Sequence, residues 1–366
     1  MRVARTLPII LLFLAGCRTF DDVAPHRAFR VIGYVRGRAG IDAIGAKKLT
    51  HLNYAFAKVN PLGVIWFEDP DAPAHIAQLQ ALKAKNPDLK VIVSVGGWGA
   101  DFFSDAAVDD PSRCRFADSA VDMIKRYALD GIDLDWEYPG QPGPGIRYRA
   151  EDKQNFTLML RTLRDELDML SDARGRKGFD RYTISIASAG GEHYFANVDM
   201  SQISKYVDWF NVMTYDFEGE WSKVTGHHTA LYPLGQEFVR EHLAAGIPSR
   251  KIVLGAAFYG RGWRGVGRQN TGLSQPYDQP ESDYPYSRIT REFLGAPGYQ
   301  RRWDPAAGAP YLWNAEAGRF ITYDDPQSLR EKARFVRTHH LGGIMYWEHS
   351  EDPTEVLLDA IVSGLR

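Results

Sequence analysis

Only two cysteines stand in this chain, Cys17 and Cys114, so no disulfide framework can hold the fold together. A surplus of either charge is missing too: 44 Lys and Arg against 46 Asp and Glu leave a formal −2, with no long single-sign run. Bulk electrostatics therefore suggests neither nucleic acid nor an anionic surface as a partner. The apolar run Leu7 to Leu14 falls well short of the ~20 residues that span a bilayer. There is no internal repeat and no low-complexity tract. No His-Glu-x-x-His occurs, and His227-His228 and His339-His340 are adjacent pairs that project apart. We therefore expect neither a metal nor a cofactor. Gly260-Arg-Gly-Trp-Arg-Gly265 matches a dinucleotide-binding pattern, but the residues after it do not read as a helix, so no helix amino terminus is available for a pyrophosphate.

The chain does have a dense acidic row. From Asp130 to Gly140 it reads DGIDLDWEYPG, with Asp133, Asp135 and Glu137 alternating with Ile132, Leu134 and Trp136. In an extended strand alternate side chains share a face, so three carboxyls line one side and three apolar groups pack the other. Crowded acids oppose one another's ionisation, which makes at least one of them a proton donor near neutrality. Asp133 and Glu137 lie about 13 Å apart along such a backbone, too far to clasp one ion unaided.

Around this row, apolar runs and 3.6-residue periodicity alternate. Strands are expected at Arg30–Tyr34, Leu49–Ala57, Lys90–Val95, the acidic row, Tyr182–Ser188, Trp209–Thr214, Lys251–Phe258 and Gly343–Trp347. Helices are expected at Ile41–Lys48, Ala72–Lys85, Pro111–Leu129, Phe156–Leu170, Phe238–Ala245, Leu329–His339 and Glu355–Leu365. Eight strands alternating with helices predict an α/β fold, a (β/α)8 TIM barrel, over 29–259 and 324–366. The Gly-, Pro- and aromatic-rich stretch 260–323 breaks the rhythm and reads as a small α+β insertion domain. Cys114 falls in an expected helix and reads as a buried free thiol.

Asp130-x-x-Asp133-x-Asp135-x-Glu137 with Tyr138-Pro139 resembles the signature of glycoside hydrolase family 18, the chitinases and their relatives. Ser94-Val95-Gly96-Gly97, Met213-Thr214-Tyr215-Asp216, Ala256-x-Phe258-Tyr259-Gly260-Arg261, Tyr311-Leu312-Trp313, Tyr323-Asp324-Asp325-Pro326 and Trp347-Glu348 resemble further family segments, so the likeness runs over nearly everything from Arg30 onward. It implies a glycosidase cleaving β-1,4 linkages of N-acetylglucosamine polymers, chitin or chitooligosaccharides, by substrate-assisted retaining catalysis. In that scheme the substrate's 2-acetamido oxygen attacks. Glu137 is then acid and base, Asp135 orients the acetamido N–H, Asp133 shares a proton with Asp135, and Tyr215 holds the acetamido oxygen. Trp347 floors the sugar pocket. Tyr34, Phe56, Trp98, Met213, Asp216, Trp221, Tyr259 and Arg261 fall at strand ends or groove positions, and Trp98, Trp221 and Trp263 are candidate outer sugar platforms. Two other readings stay open: an endo-β-N-acetylglucosaminidase acting on N-glycans or peptidoglycan fragments, and a non-catalytic sugar-binding lectin. The lectin is disfavoured by the presence of Glu137.

Residues 1–17 read as an export signal, with a basic start and the ending Leu14-Ala15-Gly16-Cys17. That ending resembles a bacterial lipoprotein signal in which Cys17 becomes the acylated terminus. Residues 18–28 would then be a tether, and the membrane would be met through the lipid anchor only. Arg18 favours the outer membrane or cell surface by resemblance. We expect a monomer that binds an N-acetylglucosamine oligo- or polysaccharide and no nucleic acid.

Overall fold

A parallel sheet packed by side chains inside and covered by helices outside buries both faces, so its strands are almost wholly apolar. The computed structural model describes residues 29–37 and 40–366; the leader, the tether and Cys17 lie outside the described residues. Its barrel strands are β1 (Arg30–Arg36), β2 (His51–Val59), β3 (Lys90–Gly96), β4 (Gly131–Asp135), β5 (Thr183–Ser188), β6 (Trp209–Val212), β7 (Ile252–Ala257) and β8 (Gly343–Trp347). Neighbours pair in parallel and in chain order, and β1 pairs with both β2 and β8, which closes the ring. A two-residue strand, Ile65–Trp66, folds back antiparallel on the end of β2.

The surrounding helices begin and end where local chemistry directs. Helix Asp110–Tyr127 starts with the Asp109 carboxylate accepting from the Ser112 N–H, has Pro111 in its first turn, and stops at Ala128 in the left-handed region. Helix Pro326–Thr338 opens with a reciprocal capping box between Asp325 and Ser328. In helix Asp152–Ala173 the periodic Phe156, Leu160, Leu163, Leu167 and Leu170 are all buried against the barrel. Ile41–Lys48, expected as one helix, is instead two single 3-10 turns, Ile41–Ala43 and Ala46–Lys48, broken at Gly45. Cys114 is exposed, contrary to expectation. The helix turns Arg113, Phe116, Ala117 and Ala120 inward, and position 114 falls on the opposite face.

Between β7 and the last helix–strand pair lies a second sheet, all antiparallel. Its order is Gln279–Pro285, Tyr259–Arg264, Arg319–Tyr323, Ala309–Asn314 and Tyr299–Asp304. Its core gathers Trp263, Val266, Tyr311, Trp313 and Phe320. Trp263 is 0% exposed, so it cannot be an outer sugar platform. It sits in the strand Tyr259–Arg264, of which only Arg264 is exposed. Two of the dinucleotide-like glycines, Gly260 and Gly262, are in this same strand and serve packing, and Gly265 follows its end. A Cβ on Gly260 would lie 2.6 Å from the Thr322 carbonyl oxygen, and one on Gly262 would lie 2.6 Å from the Tyr284 ring.

One buried ion pair holds the closing helix to the barrel. Lys332 donates to Asp324 at 2.6 Å and to Thr229 at 2.6 Å, and Asp324 also accepts from the Ala257 N–H at 3.1 Å and from Ser328 at 2.7 Å. Removing one partner of such a pair strands the other charge in a low dielectric. Lys332→Met is therefore expected to lose about 3–5 kcal/mol of unfolding free energy in urea. Lys332→Met/Asp324→Asn should recover part of that loss.

Candidate active site

The site is built on β4. Ile132 and Leu134 point outward into the main core, and Trp136 stacks on Phe103 at 5.3 Å with the edge of Phe156 at 5.4 Å. That packing turns the alternate residues inward. Asp133 is fully buried and accepts four hydrogen bonds: from Tyr34 (2.8 Å), Ser94 (2.7 Å), Ser185 (2.6 Å) and Asn211 (3.1 Å). Ser94 and Ser185 stand opposite Asp133 in the registers of β3 and β5. Tyr34 comes from β1 and Asn211 from β6; Asn211 also donates to Tyr34 at 3.1 Å and accepts from Trp209. Burial pushes the Asp133 carboxyl up, and these donors pull it part of the way back.

Asp135 lies one step nearer the mouth and is differently treated. Its Oδ1 is buried and has no hydrogen-bond partner. Burial pushes this carboxyl well above the usual range, and the charges of Glu137 and Asp133 push the same way, with only Lys58 opposing. The alternation predicts Glu137 in the same strand, but β4 ends at Asp135. The last ladder bond there runs from the Gly97 N–H to the Asp135 carbonyl, and Glu137 stands just beyond, half-buried at the mouth. The close approach requires glycine: at Gly96, φ is +122 and a Cβ would fall 2.0 Å from the Asp135 carbonyl oxygen. Burial, with the charge of Asp216 adding, holds Glu137 at about 7, against the contrary pull of Tyr138 and Lys58. A buried and a half-buried carboxyl, both of raised pKa, thus stand next to one another, the arrangement that separates acid and base roles.

Aromatic rings close the floor and one wall. Trp347 stacks on Phe56 at 5.3 Å and packs on Tyr34 at 5.7 Å, with Met213 and Tyr215 in the same cluster. The Tyr215 hydroxyl is 3.9 Å from the Met345 sulfur, and burial plus the nearby acids hold it firmly protonated, as a donor. Across the mouth, Asp216 accepts from Tyr259 (2.8 Å) and the Arg261 Nε (2.7 Å), with the His228 Nδ1 at 3.6 Å. Burial works against its charge, but His228 and Arg261 outweigh that and keep it ionised. The Arg261 guanidinium also lies 4.7 Å over Trp221. Trp221 and Trp98 are rim residues, 56% and 66% exposed, the latter 6.4 Å from the Tyr138 ring.

The structure thus gathers Asp133, Asp135, Glu137, Tyr215, Trp347, Tyr34, Phe56, Met213, Asp216, Tyr259 and Arg261 at one end of the barrel, with Trp98 and Trp221 at its edge. Motif and pattern pass over Ser185, Asn211, His228 and Lys58. Asn211 carries a usable signal, since it is an isolated polar residue within an otherwise apolar strand, whereas Ser185 shares its strand with Thr183 and Ser188. Among the described residues no group of three or more His, Cys, Asp or Glu is placed to hold a metal ion.

The chain is similar to known proteins over most of its length. The family model for glycosyl hydrolases family 18 matches residues 30–352. Chitinase A1 of Niallia circulans is 35% identical over 92% of this chain, which spans 58% of that relative's length. Chitinase B of Serratia marcescens is 32% identical, with 84% of this chain and 74% of the relative covered. Among solved structures, a glycoside hydrolase family 18 N-acetylglucosaminidase from Paenibacillus barengoltzii superposes with TM-score 0.84 and 38% identity, covering 92% of this chain and 99% of that one.

A stability measurement checks the electrostatics without substrate. Glu137 moves from 4.5 to about 7 on folding. Below the lower value it is neutral in both states; as pH rises from 4.5 to about 7 the unfolded state ionises and the native state does not, so stability falls, and the loss is complete above about 7. Glu137→Gln should therefore unfold at higher urea than the unsubstituted protein near pH 8, by about 1–3 kcal/mol, and show no gain near pH 4.

Proposed function

The chain belongs to family 18 of the glycosyl hydrolases, and from that membership we propose that it hydrolyses β-1,4 linkages of N-acetylglucosamine polymers, chitin or chitooligosaccharides. The names of its relatives Chitinase A1 and Chitinase B support the substrate class. The observation that carries the mechanism is the pairing of a Glu137 held at about 7 with a buried Asp135 whose Oδ1 lacks any protein donor.

The steps rest on the chemistry each group can perform. Asp135 and Glu137 lie on the same side of the sugar, so neither reaches the far face of the anomeric carbon. Asp216 is the remaining carboxylate at the mouth, and its Oδ1 is already engaged by Tyr259 and Arg261. The nucleophile is then the substrate's own acetamido oxygen, which is the family's departure from the usual retaining scheme. That oxygen bonds to the anomeric carbon as the glycosidic bond breaks, and Glu137 passes its proton to the leaving oxygen. Asp135 accepts the acetamido N–H at its free Oδ1 and offsets the charge of the oxazolinium. The Tyr215 hydroxyl donates to the acetamido oxygen and fixes its approach. Water then opens the ring, giving its proton to Glu137. Trp347, on its Phe56 support, carries the sugar face.

A second reading, removal of single N-acetylglucosamine units from chain ends, is favoured by the likeness to the Paenibacillus N-acetylglucosaminidase. Its products would be monomers instead of dimers and longer oligomers. We also propose that Cys17 is acylated after export and tethers the enzyme to the outer membrane or cell surface; the run Leu14-Ala15-Gly16-Cys17 supports this.

Two experiments test these readings. Labelled chitooligosaccharides should be cleaved by the unsubstituted protein and roughly 10²–10⁴-fold more slowly by Glu137→Gln; fully deacetylated oligomers should resist both. Equal cleavage of acetylated and deacetylated chains would rule out substrate assistance. Labelled palmitate should enter the protein in a bacterial host and fail to enter Cys17→Ala.

A further inference from the structure

Lys58 lies two residues beyond Phe56 on β2, and no motif covers it. Its ammonium donates to the Gly96 carbonyl at 2.7 Å, and Gly96 stands opposite Asp135 in the β3–β4 register. The same ammonium is 5.3 Å over the Phe56 ring, the ring on which Trp347 stacks. A Cβ on Gly97 would come within 2.7 Å of that ring, so the glycine pair is what lets Phe56 and Lys58 close against the acid strand. Lys58 is thus half-buried, tied to the backbone beside Asp135, and on the inward side of the barrel mouth.

We propose that Lys58 is a positioning residue of the active site, whose fixed ammonium faces the Asp135–Glu137 pair from β2 and sets the pH window in which that pair holds one proton.

The electrostatic surroundings agree with the geometry. Lys58 faces three acids: exposed Glu68 on the stretch after Ile65–Trp66, and Asp135 and Glu137. Burial lowers its pKa, and those acids pull it only part of the way back. From the side of the pair, Asp133 beneath and Asp216 across the mouth add negative charge. The phenols of Tyr34, Tyr138, Tyr194 and Tyr215 face it as well, and each is held neutral. Arg261 is committed to Asp216. Lys58 is the cation opposing proton retention at both Asp135 and Glu137. Without it the pair would hold its proton, and a second one, to higher pH. Its long stem also lets the ammonium reach the backbone oxygen without contacting the reacting atoms, which is why it acts through the carboxyls.

The test compares Lys58→Met and Lys58→Arg with the unsubstituted protein in two ways. In the first, kcat/KM on acetylated chitooligosaccharides is followed against pH. Loss of the cation raises both carboxyl pKa values, so both limbs of the profile should move to higher pH by roughly half a unit to one unit in Lys58→Met. Lys58→Arg should restore the original positions. In the second, the carboxyl carbons of Asp135 and Glu137 are titrated by NMR, with thermal unfolding confirming that each variant is folded. Their midpoints should rise in Lys58→Met by the same interval. A uniform drop in rate at every pH, unmoved carboxyl midpoints, or an Arg variant that behaves like Met would each overturn the proposal. It rests on Asp135 and Glu137 being the reacting pair, yet the titration needs no turnover. An inactive unsubstituted protein with shifted midpoints would therefore defeat the proposed function while upholding the placement of Lys58.

Discussion

The carboxylate of Asp133 has no access to water, and four strands besides its own each supply it with a hydrogen-bond donor. A buried charge survives only when its lone pairs are satisfied, and here the satisfaction is spread round the ring from β1 to β6. That contact fixes the relative heights of the strands as firmly as any backbone ladder. It also determines everything nearer the mouth. Asp135 and Glu137 come after Asp133 at steps of two residues, so their positions are set by an anchor that takes no part in contact with solvent or ligand. A half-satisfied network at this depth would destabilise the barrel more than an apolar plug of the same shape.

Above that anchor the site works by graded satisfaction. Asp133 has four donors, Asp135 leaves one oxygen buried and bare, and Glu137 stands at the rim with its pKa in the neutral range. Both acids nearer the mouth have fewer protein donors than Asp133, which leaves more for a ligand to supply. Asp216 takes the opposite course. It is clamped by Tyr259 and Arg261, so it contributes a steady negative potential and does not compete for the proton. Rings fill the remaining surface, which suits the apolar C–H faces of a sugar and keeps the local dielectric low.

Much of this is legible in the sequence, for definite physical reasons. Buried parallel strands are apolar on both faces, so all eight barrel strands announce themselves, and the acid row of β4 stands out because its polar and apolar positions alternate so cleanly. The inward carboxyls come from the two-residue period alone. The features that escape a sequence reading depend on neighbours far away in the chain. Trp263 and Trp221 look alike as residues in aromatic-rich segments, yet one is sealed beneath an antiparallel sheet and the other stands open beside a guanidinium. The average behaviour of cysteine places Cys114 inside, whereas the phase of its helix puts it outside. Lys58 sits at a strand end, where a charge is unremarkable until the register shows its neighbours across the ladder. No local pattern marks the non-proline cis bonds before Phe56, inside β2, or before Tyr138 and Glu348, just beyond β4 and at the end of β8.

Tyr259 and Arg261, which clamp Asp216, are both residues of the strand that opens the second sheet. The smaller sheet is thereby wired into the charge balance of the larger ring. Trimming it away, or swapping it for a differently shaped module from a cousin to alter groove depth, would unclamp an anion within sight of Glu137 and reset the acidity of the cleft. In this architecture cleft shape and proton affinity are not independent design variables, and a graft that keeps the outline while dropping those two side chains would inherit the form and lose the tuning.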